Sequence, residues 1–162
     1  MDVTHEGEAI SVRFVPNTDL TVGSHRRASQ SIRLVRTQLK RFADAVETKD
    51  GGVTAHFLMA DMNAVSDFIS RIDEKLDRLR NEKITIKMLE EILLLTPLER
   101  QRWTKDGRLP AAGNSYIDRG QKIRLWTYSP DVVARLWKNP EIIENWRKAD
   151  LASGSASAGQ SD

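Results

Sequence analysis

The stretch "TPLERQRWTKDGRLP", residues 96–110, decides the fold predicted for the second half of this sequence. Thr96 followed three positions later by Glu99 is the pattern of a capping box, in which each side chain bonds the other residue's backbone N–H at a helix start. Pro97 suits the first helical position, where its missing N–H has no cost. Gly107 favours a helix end shortly afterwards. The stretch therefore predicts a short helix that carries several basic side chains and one tryptophan.

The flanking sequence predicts the neighbouring elements. A short apolar helix, "IKMLEEILLL" (86–95), meets the basic helix at a tight turn. The run "NSYIDRGQKIRLWTYS" (114–129) alternates apolar and polar residues on both sides of a turn, which indicates a β-hairpin. Ser129 and Pro130 open another helix, and a last helix runs through Trp146. This order of helix, turn, basic helix, hairpin and helix is typical of a winged helix-turn-helix.

Residues 84–137 resemble the DNA-binding domain shared by the MerR regulators and the phage excisionases. The most specific motif is Trp-x-x-Asp-Gly-x-Leu-Pro at 103–110, and the second is Tyr-Ser-x-Asp-x-x-x-x-Leu at 128–136. The resemblance covers about a third of the chain. It implies a winged helix-turn-helix whose basic helix lies in the major groove of DNA.

The chain departs from this family at one core position. The family usually has an apolar residue three positions before the tryptophan, where this sequence has Arg100. We expect Leu98 to fill that core position, Trp103 to face the core, and Arg100 to contact DNA. Glu99 is a candidate for reading a cytosine, and the wing is expected to reach phosphates. The predicted DNA-contacting residues are Thr96, Glu99, Arg100, Gln101, Arg102, Lys105, Arg108, Asn114, Tyr116, Arg119, Lys122 and Arg124.

The N-terminal half predicts two short strands and two long helices. Residues 9–15 and 53–59 alternate as strands do. Between them, apolar residues recur every three or four positions from Ala28 to Val46, and a similar series follows Asp61. We expect an antiparallel hairpin of long helices, which the MerR family lacks at this position because its dimerising helix follows the DNA-binding domain.

The apolar series of the two helices also predicts a homodimer. Additional apolar residues such as Leu34 and Phe68 favour packing against a second copy of the chain. The alternative is pairing within one chain, with the two strands covering the remaining apolar surface. The predicted dimerisation residues are Ile32, Val35, Leu39, Phe42, Ile69, Ile72, Leu76 and Leu79.

The predicted fold class is therefore mainly α, in three regions. Residues 1–82 form a helical dimerisation region with short strands. Residues 83–149 form the winged helix-turn-helix, and residues 150–162, rich in Ser, Ala and Gly, form a disordered tail.

Composition argues against an enzyme. The sequence has no cysteine, and its three histidines stand in separate segments without metal-ligand spacing. No phosphate-binding glycine loop occurs, and Glu90 and Glu91 are adjacent, so they lie on different faces of their helix. We expect no catalytic site, no metal and no cofactor. No apolar run approaches the roughly 18–20 residues that span a bilayer, so no membrane association is expected.

The charge distribution favours a nucleic acid partner. Residues 97–138 contain nine basic and four acidic residues, although the whole chain has a net charge of only +2. We therefore expect a sequence-specific protein that binds double-stranded DNA, a dimeric transcriptional regulator or repressor of bacterial, phage or plasmid origin, cytoplasmic and nucleoid-associated. Two alternatives stay open, an adaptor that docks proteins and a recombination directionality factor of the excisionase type. A protein partner bound through the N-terminal helices is also expected.

Overall fold

A computed structural model describes residues 1–7, 9–58, 61–118 and 122–157. The chain divides into two compact units, residues 1–82 (the N-terminal unit) and 83–162 (the C-terminal unit). Each unit has its own antiparallel sheet and its own helices, so the prediction of a mainly α protein is wrong. All four phenylalanines lie in the N-terminal unit, and all four tryptophans and both tyrosines lie in the C-terminal unit.

Two β-hairpins form the sheet of the N-terminal unit. The two inner strands pair antiparallel, with Val12 opposite Ala55, which gives the strand order β1-β2-β4-β3. Because side chains alternate along a strand, one sheet face is apolar and the other carries residues such as Ser11, Arg13 and Thr54. The strands are β1 (Asp2–Glu6), β2 (Ala9–Phe14), β3 (Ala45–Lys49) and β4 (Gly52–Leu58).

Helices cover the apolar face of this sheet. They are α1 (Thr18–Thr21), α2 (His25–Leu39) and α3 (Met62–Asn81). A long helix follows each hairpin, so the unit consists of two successive hairpin–helix halves whose inner strands are neighbours. The core combines alternate residues of β2 and β4 with the inward sides of the helices: Ile10, Val12, Phe14, Leu20, Val35, Leu39, Val53, Ala55, Phe57, Val65, Phe68, Ile72, Leu76 and Leu79.

The predicted hairpin of two long helices is wrong for the described residues, because α2 and α3 pack with a four-stranded sheet, and two paired strands, β3 and β4, lie between them where one strand was expected. The first helix ends at Leu39, and Val46, which was assigned to the helix, lies in β3. Asp50 and Gly51 form the two-residue turn between β3 and β4. Their φ angles of 51° and 70° match the turn type that best fits the twist of paired strands.

Most of the predicted dimerisation residues are buried within the N-terminal unit, which corrects their assignment to an interface between two chains. Five of them are buried in the core of the N-terminal unit, and Ile32 and Ile69 pack against that core. Phe42 is the exception, since it is 61% exposed and its ring contacts that of Phe68 at a centroid distance of 4.4 Å. Apolar residues at intervals of three and four positions show which side of a helix is buried. They do not show whether a sheet of the same chain or a second chain packs against that side. Here the sheet of the same chain does so for Val35, Leu39, Ile72, Leu76 and Leu79.

A buried arginine joins the two long helices of the N-terminal unit. Arg27, near the start of α2, is only 1% exposed and donates to the backbone carbonyls of Leu79 and Arg80. The last carbonyls of a helix lack partners within the helix, and a basic side chain can supply them. Burial lowers the pKa of the Arg27 guanidinium, with an opposing effect from Glu82. Arg27 therefore caps the C-terminus of α3.

The C-terminal unit places a three-stranded sheet, in the order β5-β7-β6, among four helices. Trp103, Leu109, Tyr128 and Val133 are fully buried in its core. Residues predicted to be a disordered tail from position 150 are helical through Ser157, and residues 158–162 lie outside the described ranges. The elements are β5 (Ile84–Thr85), α4 (Ile86–Leu93), α5 (Pro97–Lys105), β6 (Ala111–Asp118), β7 (Lys122–Tyr128), α6 (Pro130–Lys138) and α7 (Pro140–Ser157).

Candidate nucleic-acid interface

The turn between α4 and α5 is tightly defined. Leu94 ends α4 in the left-handed conformation, with a φ of 51°. The predicted capping box of α5 is confirmed. The backbone N–H of Thr96 donates to Glu99 Oε2 at 2.7 Å, and the backbone N–H of Glu99 donates to Thr96 Oγ1 at 3.2 Å. Thr96 is exposed, but its hydroxyl takes part in this cap.

One side of α5 anchors the helix to its unit. Trp103 is completely buried, and Arg100 is only 8% exposed. Arg100 Nε donates to Glu90 Oε1 of α4 at 2.9 Å. The prediction that Arg100 contacts DNA is therefore wrong, and so is the prediction that Leu98 fills the core, because Leu98 is 76% exposed. An arginine can occupy the inward position because Glu90 neutralises its charge there.

The opposite side of α5 is open to solvent. Its exposed side chains are three, one and three positions apart, so they form one stripe along the helix. Two are basic, one is an amide and one is apolar, which provides hydrogen-bond donors, an acceptor and a hydrophobic contact. This outer face of α5 consists of Leu98, Gln101, Arg102 and Lys105.

Helix α7 braces one edge of α5 through Asp150. The carboxylate of Asp150 accepts from Trp103 Nε1 at 2.9 Å, from Arg108 Nη2 at 2.7 Å and from Arg102 Nη1 at 3.1 Å. The bond from the Trp103 indole, with those from Arg108 and Arg102, lowers the pKa of Asp150 to about 2. Asp150 thus fixes Trp103 and is charged at neutral pH.

A second contact from α7 occupies Glu99. Arg147 Nε donates to Glu99 Oε1 at 2.7 Å, and Arg147 Nη2 donates to the carbonyl of Leu94 at 2.9 Å. The bond from Arg147 lowers the pKa of Glu99, and the cap with Thr96 lowers it further. Both carboxylate oxygens of Glu99 are engaged, so the structure assigns it to the helix start and not to reading a cytosine.

The side chain of Arg108 is engaged by aromatic rings and carboxylates of its own unit. Its guanidinium carbon lies 5.5 Å from the ring centroid of Trp103 and 6.0 Å from that of Trp146. It also bonds Asp150 and, at 2.6 Å, Asp106. The cation–π contacts with the rings and the ion pairs with the carboxylates both restrict the position of this guanidinium. The prediction of Arg108 as a DNA contact is therefore not supported by its position.

The predicted wing residues lie on or beside the β6–β7 pair. Tyr116 pairs with Arg124 in register, and Lys122 pairs with Asp118 at the far end of the hairpin. Asn114 is half-buried, and its Oδ1 has no hydrogen-bond partner within the described residues. Arg119 lies outside the described ranges, and for Tyr116, Lys122 and Arg124 the description covers the strand and not the side chain.

The sequence interpretation missed the contribution of α7. Trp146, Arg147 and Asp150 all contact α5 or Arg108, although no predicted functional residue came from this segment. A signal was present in the start of the helix, where Pro140 and Glu141 follow Asn139. The Ser- and Ala-rich composition beyond residue 150 masked the helix that continues through it.

Comparisons with models of protein families, with curated proteins and with solved structures found no match. Within residues 1–7, 9–58, 61–118 and 122–157, no three or more His, Asp or Glu side chains are grouped as metal ligands would be. None of the helices in those ranges has the length and apolarity that crossing a bilayer requires.

Proposed function

We propose that this protein binds double-stranded DNA sequence-specifically through α5 and acts as a transcriptional regulator associated with the nucleoid. The observation that carries the proposal is the two-sided character of α5. Trp103 and Arg100 fix one side to the unit, while Gln101, Arg102 and Lys105 are presented on the other. A helix that reads the major groove needs both properties. The resemblance of residues 84–137 to the MerR and excisionase domains supports the same proposal.

The outer face of α5 has the chemistry that distinguishes base pairs. Arginine and lysine donate to the O6 and N7 acceptors of guanine, and glutamine pairs with the N6 and N7 edge of adenine. Leu98 supplies an apolar group for a thymine methyl. In this proposal Gln101 and Arg102 read bases, and Lys105 contacts a base or a phosphate.

Arg102 can keep its contact with Asp150 while it binds DNA. Its guanidinium has five N–H donors, and Nη1 donates to Asp150 at 3.1 Å. The side chain is 61% exposed, so it stays accessible to a ligand while it makes this contact. The carboxylate of Asp150 would then orient Arg102 in advance, which reduces the conformational entropy lost on binding.

Three of the predicted DNA contacts and the dimeric arrangement are not part of the proposal. Arg100, Glu99 and Arg108 are held by partners within the unit. The residues expected to pair two chains are, apart from Phe42, in or against the core of the N-terminal unit. A single protein chain on one DNA site is therefore the arrangement proposed.

The proposal is tested with a double variant, Gln101→Ala with Arg102→Ala, on a duplex selected from random sequences by the wild-type protein. Loss of one bidentate base contact costs about 1–3 kcal/mol of discrimination. We expect the variant to lose affinity for the selected duplex and to retain most of its affinity for a scrambled one. Arg135→Ala with Lys148→Ala, two exposed basic residues on α6 and α7, is the control and should change neither. Equal losses on both duplexes would contradict sequence reading by α5.

A second function, protein docking, is favoured by one observation. Leu94 and Leu98 are 79% and 76% exposed, and they lie four positions apart at the turn that leads into α5. Large exposed apolar side chains close together in the sequence are suited to an apolar partner surface. Failure to retard any duplex even at low salt would favour docking over DNA binding.

Sequence-specific binding without an effect on transcription would instead favour the recombination role of an excisionase-type factor.

A further inference from the structure

The two long helices of the N-terminal unit occupy equivalent places in its two hairpin–helix halves but differ in charge. Helix α3 carries four acidic and four basic residues, among them Asp77 and Arg80, which form an ion pair at 2.7 Å. Helix α2 has no acidic residue and carries Arg26, Arg27, Arg33 and Arg36, followed by Lys40 at its C-cap. The positive charge of this unit is therefore concentrated on one of two equivalent helices.

The exposed cations of α2 share one side of the helix. Arg26, Arg33, Arg36 and Lys40 are seven, three and four positions apart, and all four are exposed. At 1.5 Å per residue, the series from Arg26 to Lys40 extends for roughly 21 Å. Arg27, on the other side, is buried against α3. We refer to Arg26, Arg33, Arg36 and Lys40 as the basic face of α2.

Charge interactions within α2 itself do not account for this face. Cations stabilise the last turn of a helix through its dipole, which explains Arg36 and Lys40 alone. Arg26 lies in the first turn, where a positive charge is unfavourable and where α2 has no acidic residue. Favourable pairs three or four positions apart need an acid on the same helix, and α2 has none.

The groove beside this face has one acidic residue in its described lining. Arg33 lines a groove of about 340 Å³ between α2 and the end of α3, and the single acidic residue in that lining is Glu82. Glu82 also interacts with the buried Arg27. Lys75 of α3, which faces α2, donates to Gln38 Oε1 at 2.7 Å, so a further cation lies beside the groove.

We propose that the basic face of α2 is a second nucleic-acid-binding surface, which contacts the phosphate backbone without reading sequence. A line of cations roughly 21 Å long without an acid on its own helix complements a duplex, which carries one phosphate per 3.4 Å of each strand. Nucleic acid is favoured over an acidic protein because a uniform row of cations matches a uniform row of phosphates. The inference goes beyond the proposed role of α5 and involves the other unit of the chain.

The test is the salt dependence of DNA binding by the full-length protein. Arg33→Gln with Arg36→Gln removes two charges from the basic face, and both side chains are exposed, so the fold should be retained. Each lost phosphate contact lowers the slope of log K against log salt by about 0.9. With a labelled duplex of random sequence, we expect a slope smaller by about two. An unchanged slope for a variant with a wild-type circular dichroism spectrum would overturn the proposal.

The matched control removes the same charge from the equivalent helix. Arg71→Gln with Arg78→Gln changes two exposed arginines of α3, where acidic residues stand nearby along the helix. We expect this pair to leave the slope within about 0.3 of wild type, because a general loss of two charges is not a loss of two contacts. An equal reduction from both pairs would overturn the proposal, since it would show an effect of net charge alone.

The same assay separates this inference from the function proposed for α5. The α5 variant should lose discrimination between selected and scrambled duplexes, whereas the α2 variant should weaken both equally. If the α5 variant has no effect and the α2 variant lowers the slope, the α2 surface stands without the proposed reading helix. If binding depends on α5 alone, the α2 surface is excluded while the function of α5 stands.

Discussion

Each unit buries one arginine among its described residues, but the two arginines differ in what receives their charge. In the C-terminal unit the acceptor of Arg100 is the carboxylate of Glu90. In the N-terminal unit Arg27 donates to the backbone carbonyls at the end of α3. A carboxylate can be exchanged by substitution, whereas a helix end is present in every variant. The consequences of losing each arginine should therefore differ.

The largest effect is expected where a charge is placed in an apolar core. Leu39→Asp places a carboxylate in the core of the N-terminal unit at a position that is fully buried. Because a carboxylate loses its hydration among the apolar side chains of this core, the free energy of unfolding should fall by about 4 kcal/mol or more. Urea denaturation followed by circular dichroism measures this loss.

Thr37→Asp, an exposed residue two positions before Leu39, is the control and should change stability by less than about 0.5 kcal/mol. If Leu39→Asp instead gave a folded monomer from a wild-type dimer, the residue would belong to an interface between chains.

Replacement of Arg27 should have the next largest effect. Arg27→Met keeps much of the side chain's length but removes the donors to the carbonyls of Leu79 and Arg80, of which the bond to Leu79 is buried. A hydrogen bond from a charged group contributes about 1.5–3 kcal/mol, so we expect a loss of at least about 2 kcal/mol. Arg33→Met, an exposed change on the same helix, should be nearly neutral. Equal stabilities for the two variants would mean that Arg27 does not cap α3.

Arg100 offers a rescue that Arg27 lacks. Arg100→Met leaves the Glu90 carboxylate, whose side chain is 24% exposed, without its partner and should cost about 1–3 kcal/mol. Because replacing both partners of a buried ion pair by apolar groups is often nearly neutral, the double variant with Glu90→Met should return to within about 1 kcal/mol of wild type. A double variant less stable than Arg100→Met alone would show that the two residues act separately.

The smallest effect is expected from the pH dependence of Asp150. Its folded pKa of about 2 lies below the usual value near 3.9, so its contribution to stability is complete above about pH 5 and is lost as the pH falls toward 2. The melting temperature of wild type should fall over that range. Asp150→Asn should be less stable at neutral pH and should show a weaker fall. Parallel curves for the two proteins would rule out Asp150 as a source of the acid sensitivity.

Local signals in the sequence were sufficient where the structure is determined locally. The capping box of Thr96 and Glu99 was predicted and is formed. The turn at Asp50 and Gly51 was missed although an Asp-Gly pair between two alternating runs is a strong hairpin signal. It was missed because Phe42 and Val46 continue the apolar spacing of α2 beyond its end at Leu39.

The remaining errors concern partners that lie far apart in sequence. From the sequence alone Arg100 is expected to be exposed, because nothing there shows that Glu90 on the preceding helix faces it. Leu98 is then expected to be buried, because only one of Arg100 and Leu98 can face the core. Asp150 lies 47 positions from Trp103, and no spacing rule connects them. Residue periodicity predicts which side of an element is buried. It does not predict which other element or chain packs against that side.

The separation of aromatic residues between the units provides an optical label. All four tryptophans lie in the C-terminal unit; Trp103 belongs to α5, and the ring of Trp146 contacts that of Trp103 at a centroid distance of 5.1 Å. Intrinsic tryptophan fluorescence therefore reports on the C-terminal unit alone, without any attached dye. A ligand on the outer face of α5 should change the emission, whereas one on the basic face of α2 has no indole in its own unit to perturb. The natural chain can thus show by its emission which of the two surfaces a duplex occupies.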